Sequence, residues 1–76
     1  MEIEKKFGLI IKELRQEKGV SQEKLALDAE IDRTYIGDIE KGNRKVSIVM
    51  VEKLANYFKT PISQLFNRLE EKFNQK

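Results

Sequence analysis

The sequence of 76 residues contains no cysteine and no histidine. Without cysteine it has no disulfide, no thiolate nucleophile and no thiolate metal ligand, and without histidine it lacks the side chain that most often shuttles protons. Its carboxylates alternate with lysine and arginine, and it contains no glycine-rich loop that would cradle a phosphate. We therefore expect no catalytic activity, no metal, no cofactor and no small-molecule ligand.

Long hydrophobic runs are also missing. The longest, Ile48–Val51, is far too short to cross a bilayer, and residues 1–6 have no apolar stretch behind their charges, unlike a signal peptide. We expect a cytoplasmic protein with no membrane partner. The contents of 39% hydrophobic and 37% charged residues fit one helical domain over residues 1–76, whose small core favours dimerisation or efficient helix packing.

The formal net charge is only +2, but the charges are unevenly distributed along the chain. Residues 1–40 carry a net charge of −3, whereas residues 41–59 carry a net charge of +4. Such clustering is typical of a rim that binds phosphates, although a solvated basic loop would have the same composition.

Hydrophobic residues recur at helical spacing in several segments, and no segment alternates with period two for long enough to form a strand. The sequence therefore predicts an all-α fold of five helices. These are a first helix over residues 4–18 ending at Gly19, two short helices within residues 21–42, a fourth capped by Ser47 with Ile48 turned inward, and a fifth that begins at Pro61 with Thr60 as its cap.

The two short helices are separated by a turn that leaves room only for a sharp corner. Ser21 is expected to cap the first and Asp32 the second, because each side-chain oxygen accepts from a free backbone N–H. Gly42 then provides a left-handed stop. The inward side chains are Leu25, Ala26, Ala29, Ile36 and Ile39, and the solvent-facing residues of the second helix are Arg33, Thr34, Tyr35, Gly37, Asp38 and Lys41.

This pattern resembles the lambda-repressor-like, XRE-type helix-turn-helix family over about residues 5–66. The matching residues run from Ser21-Gln22-Glu23 through Ile31–Ile36 to Ile39-Glu40 and Arg44, and continue in register to Pro61–Phe66. Within that family, Asp32–Ile36 and the small size are most similar to controller proteins of restriction-modification systems, while phage-type repressors share much of the pattern. The resemblance implies a homodimer that binds operator DNA upstream of its own gene and the endonuclease gene, activating at moderate dose and repressing at high dose.

Four side chains of the second short helix are predicted to contact DNA bases. Arg33, Thr34 and Tyr35 occupy its first turn, the part of a recognition helix that enters the major groove, and Arg33 suits a bidentate contact to guanine. The alternatives are an ion pair of Arg33 with Asp32 or Glu30, and packing of Tyr35 on the first helix. Asp38 would repel phosphates, so it either accepts a hydrogen bond from a cytosine amino group or helps to exclude incorrect DNA sites.

A second group of residues is predicted to contact the DNA backbone or the minor groove. Gln22 lies at a helix N-terminus, which favours a phosphate, although a plain surface glutamine is the alternative. The other members of the group are Asn43, Arg44, Lys45 and Ser47. Glu40, by contrast, is expected to be structural and to pair with Arg15 or Lys45.

The last helix, residues 60–76, has an apolar stripe that is longer than the core requires. Leu69 and Phe73 are expected to lie beyond the globule, which favours dimerisation through this helix; otherwise the helix folds back over the first helix or frays. Val49 and Met50 point away from the inner face of the fourth helix and join the same surface. The predicted dimerisation residues are Ile62, Phe66, Leu69, Phe73, Val49 and Met50.

The main alternative is an interaction module of the same fold, such as an antitoxin that binds both a toxin and DNA. The partners we expect are double-stranded operator DNA and a second copy of the chain, with RNA polymerase as a further candidate. A homodimer with salt-sensitive operator binding would distinguish the regulator from the interaction module.

Overall fold

The computed structural model describes residues 2–73, which form five α-helices and no strand. The helices are α1 (Ile3–Lys18), α2 (Gln22–Ala29), α3 (Arg33–Lys41), α4 (Ile48–Tyr57) and α5 (Ile62–Phe73). The all-α prediction is confirmed. The predicted last helix extends to residue 76, but residues 74–76 lie outside the described residues. Met1 lies outside them as well.

Side-chain caps begin three of the helices as the sequence predicts. The hydroxyl of Ser21 accepts from Lys24 N at 3.0 Å, the carboxylate of Asp32 from Thr34 N at 2.8 Å, and the hydroxyl of Ser47 from Met50 N at 3.1 Å. The predicted Thr60 cap is wrong, because its hydroxyl donates to the Phe58 carbonyl at 3.1 Å. Helix α5 begins at Ile62, one residue later than predicted, and the carbonyl of Pro61 accepts its first helical hydrogen bond, from Leu65 N at 3.0 Å.

Left-handed residues follow four of the helices. Gly19 and Gly42 have φ angles of 74° and 75°, as expected for glycine after a helix. Glu30 takes the same position after α2, with φ 56°, and Lys59, two residues after α4, is also left-handed, with φ 53°. Side chains with a Cβ adopt this conformation only at a cost.

The core is formed by aliphatic side chains from all five helices. Seven of them are almost fully buried: Ile10, Ile11, Leu25, Ile36, Ile39, Leu54 and Leu65. The closest helix contact is between α1 and α3 at Gly8, where an added Cβ would lie 2.9 Å from the Glu40 carbonyl oxygen and still closer to that of Ile39. This contact fixes the position of α3 against α1.

The expected exposure of Leu69, Phe73 and Ile48 is wrong. Phe73, expected beyond the globule, is half-buried and packs against the core. Leu69 is only 4% exposed, because α5 folds back along α1 and covers it. Arg68 and Lys72 help to hold α5 there through ion pairs to Glu13, with Nζ of Lys72 2.7 Å from the carboxylate. Ile48, expected to face inward, is 83% exposed, because it lies in the first turn of α4, before the stripe that packs on the core.

In residues 2–73 no helix is both long enough and apolar enough to span a membrane.

Candidate nucleic-acid interface

Helices α2 and α3 form a compact corner that presents the first turn of α3 to solvent. The turn follows the left-handed Glu30, and Ile31 N donates back to the Ala26 carbonyl at 2.9 Å. The buried side chains Leu25 and Ile36 form the inner faces of the two helices. The outer face of α3 is thereby held rigidly, which a surface that reads a sequence requires.

Arg33 extends from the first turn of α3 and its side chain remains 49% exposed. Its Nε lies 3.3 Å from a carboxylate oxygen of Glu23, so its ion-pair partner is Glu23 and neither Asp32 nor Glu30. The pKa of Glu23 is lowered, first by a hydrogen bond from its own backbone N–H near the start of α2 and then by Arg33. Because the pair is exposed, it leaves the guanidinium available to a stronger partner.

Gly37 is buried, so its predicted place on the solvent face of α3 is wrong. The space above it is occupied by two long side chains. A Cβ at this position would lie 3.2 Å from Nη1 of Arg33 and 3.9 Å from Oε1 of Gln22. The absence of a side chain at Gly37 therefore allows Arg33 to lie along the helix.

Gln22, the predicted phosphate contact, belongs to a network that joins three helices. Its Nε2 donates to Glu40 at 2.9 Å, and Glu40 also accepts from Nε of Arg15 at 2.6 Å. Arg15 in turn donates to the Val20 carbonyl at 2.9 Å. The prediction that Glu40 is structural is confirmed, with Arg15 rather than Lys45 as its partner. The pKa of Arg15 is raised, mainly because its side chain donates to Glu40.

Tyr35, Asp38 and Arg44 form one cluster on the exposed side of α3. The Arg44 guanidinium lies 4.4 Å from the centre of the Tyr35 ring, and its Nη2 donates to Oδ2 of Asp38 at 3.0 Å. Tyr35 is half-buried and packs against the core with its remaining surface. The structure thus brings together two predicted base contacts and one predicted backbone contact.

The remaining predicted DNA contacts make no side-chain hydrogen bond or ion pair to this cluster in the part of the chain that the structure describes. Thr34, Asn43, Lys45 and Ser47 are exposed. The hydroxyl oxygen of Ser47 accepts from Met50 N as the cap of α4, so its own O–H donor remains available for a phosphate. Asn43, Lys45 and Ser47 thus form a polar and cationic segment between α3 and α4.

The predicted dimerisation residues are divided between surface and core. Val49 is 66% and Ile62 is 41% exposed, whereas Met50, Phe66 and Phe73 are half-buried and Leu69 is buried. Phe66 stacks on Phe7, with ring centres 5.9 Å apart. Exposed apolar side chains at the starts of α4 and α5 are Ile48, Val49 and Ile62, while Ile3, Leu9 and Leu27 are exposed on α1 and α2.

Sequence reasoning missed Gly8 and Ile48. A glycine inside the long first helix was a visible signal, because glycine costs stability there unless a neighbour needs the space. No such signal marked Ile48, since its apolar side chain fits an inner or an outer position equally well.

Together, the sharp α2–α3 corner and the exposed first turn of α3 define a helix-turn-helix protein. A family model described as "Helix-turn-helix" matches residues 11–65. The chain belongs to this family, the lambda-repressor-like or XRE-type helix-turn-helix proteins, whose members are DNA-binding transcription regulators.

Among its relatives, the chain is similar to controller proteins of restriction-modification systems. It is 41% identical over 71 residues to the control protein C.MunI of Mycoplasma sp, a match that covers 92% of this chain and 96% of that protein. The crystal structure of the controller C.AhdI from Aeromonas hydrophila is 44% identical, with a TM-score of 0.79 and coverage of 83% of this chain and 96% of that one. The controller C.Esp1396I, solved as a tetramer in complex with its natural 35-base-pair operator, is 32% identical with a TM-score of 0.86 and 95% coverage of both chains.

Proposed function

We propose that this protein is a sequence-specific transcription regulator that binds a palindromic operator as a homodimer and controls a restriction-modification system. In this role it activates or represses its own gene and that of the endonuclease according to dose. The observation that carries the proposal is the first turn of α3, where Arg33 and Thr34 are exposed on a helix held by the Asp32 cap and the α1 contact.

The proposed base contacts follow from the position of α3. The N-terminal residues of a recognition helix reach base edges in the major groove, and the guanidinium of Arg33 has the fork that suits guanine O6 and N7. Its pairing with the exposed Glu23 is weak enough to be exchanged for a base. Thr34 and Tyr35 then face the adjacent bases or phosphates.

The proposed backbone contacts lie on both sides of α3. On one side, Gln22 begins α2, and its amide is oriented by Glu40 while the free N–H groups of the helix start favour a phosphate. On the other side, the loop after α3 provides Asn43 and Lys45, and Ser47 begins α4. Contacts of this kind fix the register of the protein on the duplex.

The proposed dimer surface is the exposed apolar group Ile48, Val49 and Ile62, which lies on α4 and α5, two helices that pack together. The same two helices contribute Val51 and Phe66 to an open groove of about 300 Å³, which Val46 also lines. A second copy is the occupant we propose, because a palindromic site requires two recognition helices related by a two-fold axis. The oligomeric complex of C.Esp1396I with its operator supports this assignment. RNA polymerase is the further partner that activation would require.

Selection of bound duplexes from a random pool tests the function directly. We expect an inverted repeat to be enriched, and binding to it to weaken steeply as salt is raised, because several lysine and arginine contacts release counterions. A scrambled duplex of the same length is the control. Enrichment of no sequence, or equal affinity for both duplexes at every salt concentration, would refute the proposal.

A further inference from the structure

An acidic residue in the middle of the surface proposed to bind DNA requires an explanation. Asp38 lies on α3 one turn after Thr34, and its carboxylate is about one-third exposed. Alone, it would repel the phosphates that the neighbouring cations attract. Its only ion-pair partner within residues 2–73 is Arg44.

The path of the chain after α3 places Arg44 over this carboxylate. Gly42 turns the backbone in the left-handed conformation and packs so tightly on α1 that an added Cβ would lie 2.5 Å from Cγ of Lys5. The next residue, Asn43, donates its N–H to the Asp38 carbonyl at 2.9 Å. Arg44 is therefore directed back along α3 by backbone contacts that do not depend on its own side chain.

Arg44 is held there by two different interactions. Its Nη2 donates to Asp38 at 3.0 Å, while the guanidinium carbon lies 4.4 Å from the ring centre of Tyr35. The side chain of Arg44 is still 45% exposed, and a guanidinium has more N–H donors than this one bond uses. The remaining N–H donors of Arg44 can therefore bind DNA while its Nη2 stays bonded to Asp38.

We propose that Asp38 is a specificity-determining residue, because it pairs with Arg44 on the Tyr35 ring and so positions this arginine while neutralising its charge. Any phosphate that binds Arg44 at a random site must compete with an ion pair that already exists. At the operator, a correctly placed base edge or phosphate meets the free donors of an arginine that is already oriented. Asp38 thus weakens non-cognate binding more than cognate binding. This inference rests on the proposed function.

The test compares the wild-type protein with Asp38→Asn on two probes, the duplex selected from the random pool and a scrambled duplex of equal length. The variant should bind the scrambled duplex roughly threefold to tenfold more tightly, with a salt slope steeper by about one per protomer, because one more cation is free to displace counterions. Its ratio of cognate to scrambled affinity should fall at least about threefold.

Two further variants separate positioning from charge. Glu71→Gln makes the same change of charge on an exposed residue of α5 and should leave the affinity ratio unchanged. In an Arg44→Ala background, Asp38→Asn should also leave the ratio unchanged, because the residue through which Asp38 acts is missing. Circular dichroism of each variant confirms that it is folded.

A measurement on the free protein checks the cluster without DNA. The side-chain NMR signals of Arg44 should be shifted by the ring current of Tyr35, and Asp38→Asn should reduce that shift. If wild-type protein prefers the selected duplex but Asp38→Asn has the same ratio of cognate to scrambled affinity as wild type, the inference is refuted and the proposed function stands. If wild-type protein prefers neither duplex, both are refuted.

Discussion

The carboxylate of Glu40 accepts hydrogen bonds from both Arg15 and Gln22, and thereby connects α3 to α1 and α2. Its side chain is only 3% exposed, and that of Arg15 is 14% exposed. In the part of the chain that the structure describes, no buried side-chain nitrogen or oxygen lacks a hydrogen-bond partner. The same network thus stabilises the fold and orients a proposed phosphate contact.

Replacing Arg15 with alanine should destabilise the protein by about 3–5 kcal/mol, because it leaves the buried Glu40 carboxylate without its cation. Urea-induced unfolding followed by circular dichroism measures the change. Lys24→Ala, which removes an exposed ion pair within α2 to Asp28, is the control and should cost no more than about 0.5 kcal/mol. Equal losses for the two variants would contradict a structural role of the buried pair.

Gly8→Ala should be strongly destabilising although alanine favours helices. The added methyl would meet backbone carbonyls of Ile39 and Glu40, which cannot move without separating α1 from α3. We expect a loss at or above the upper end of the roughly 1–3 kcal/mol typical of overpacking. Thermal unfolding measures it.

Gly37→Ala is the matched control for Gly8. Its methyl would lie 3.2 Å from the flexible end of Arg33, which can move aside. The variant should therefore retain or gain stability, by up to about 1 kcal/mol from helix propensity. If Gly37→Ala lost as much stability as Gly8→Ala, the close approach of α1 to α3 would not explain the loss at Gly8.

Local signals in the sequence were sufficient to predict the helices and most of their caps. Ser21, Asp32 and Ser47 cap the helices that follow them because capping depends on a side chain and a backbone N–H only two or three residues away. Gly19 and Gly42 end helices for a similarly local reason. Predictions of this kind need no knowledge of tertiary structure.

Properties that depend on the relative positions of helices were predicted less well. The burial of Leu69 requires α5 to fold back on α1, and the stripe pattern is the same whether that surface meets α1 or a second copy. The partner of Arg33 proved to be Glu23 because α2 and α3 meet at an angle that brings their first turns together. The pairing of Asp38 with Arg44 likewise depends on the path of a loop that has no periodic pattern.

Lys59→Gly should stabilise the protein by about 0.5–1 kcal/mol. Lys59 lies two residues after α4 with φ 53°, a conformation that costs a residue with a Cβ more than it costs glycine. Part of the gain is lost to the greater freedom of glycine in the unfolded chain. The melting temperature measures the effect. Gly19→Lys places the same side chain in the same conformation, with nothing within 4 Å of its Cβ, and should cost a similar amount.

Val49→Asp and Ile62→Asp should each shift the protein toward monomer in sedimentation velocity, because a carboxylate would be buried in the proposed dimer surface. Both side chains are exposed in one copy, so the variants should stay folded. Leu27→Asp changes a 75% exposed leucine on α2 and should leave the association unchanged. If all three proteins remain dimeric, the surface is assigned wrongly. Leu69→Asp cannot serve here, since it should unfold the chain.

Arg33→Ala should weaken binding to the selected duplex by about 1–3 kcal/mol per half-site, because it removes a bidentate contact to a base. The loss should be much smaller on a scrambled duplex, where Arg33 contributes only charge. Arg33→Lys keeps the charge but not the fork, so it should recover affinity for the scrambled duplex and little of the preference for the selected one. Lys12→Ala, on the exposed side of α1, controls for the loss of one positive charge. Fluorescence anisotropy at two salt concentrations measures all four proteins, and equal losses on both duplexes for Arg33→Ala would assign this residue to the phosphates instead of the bases.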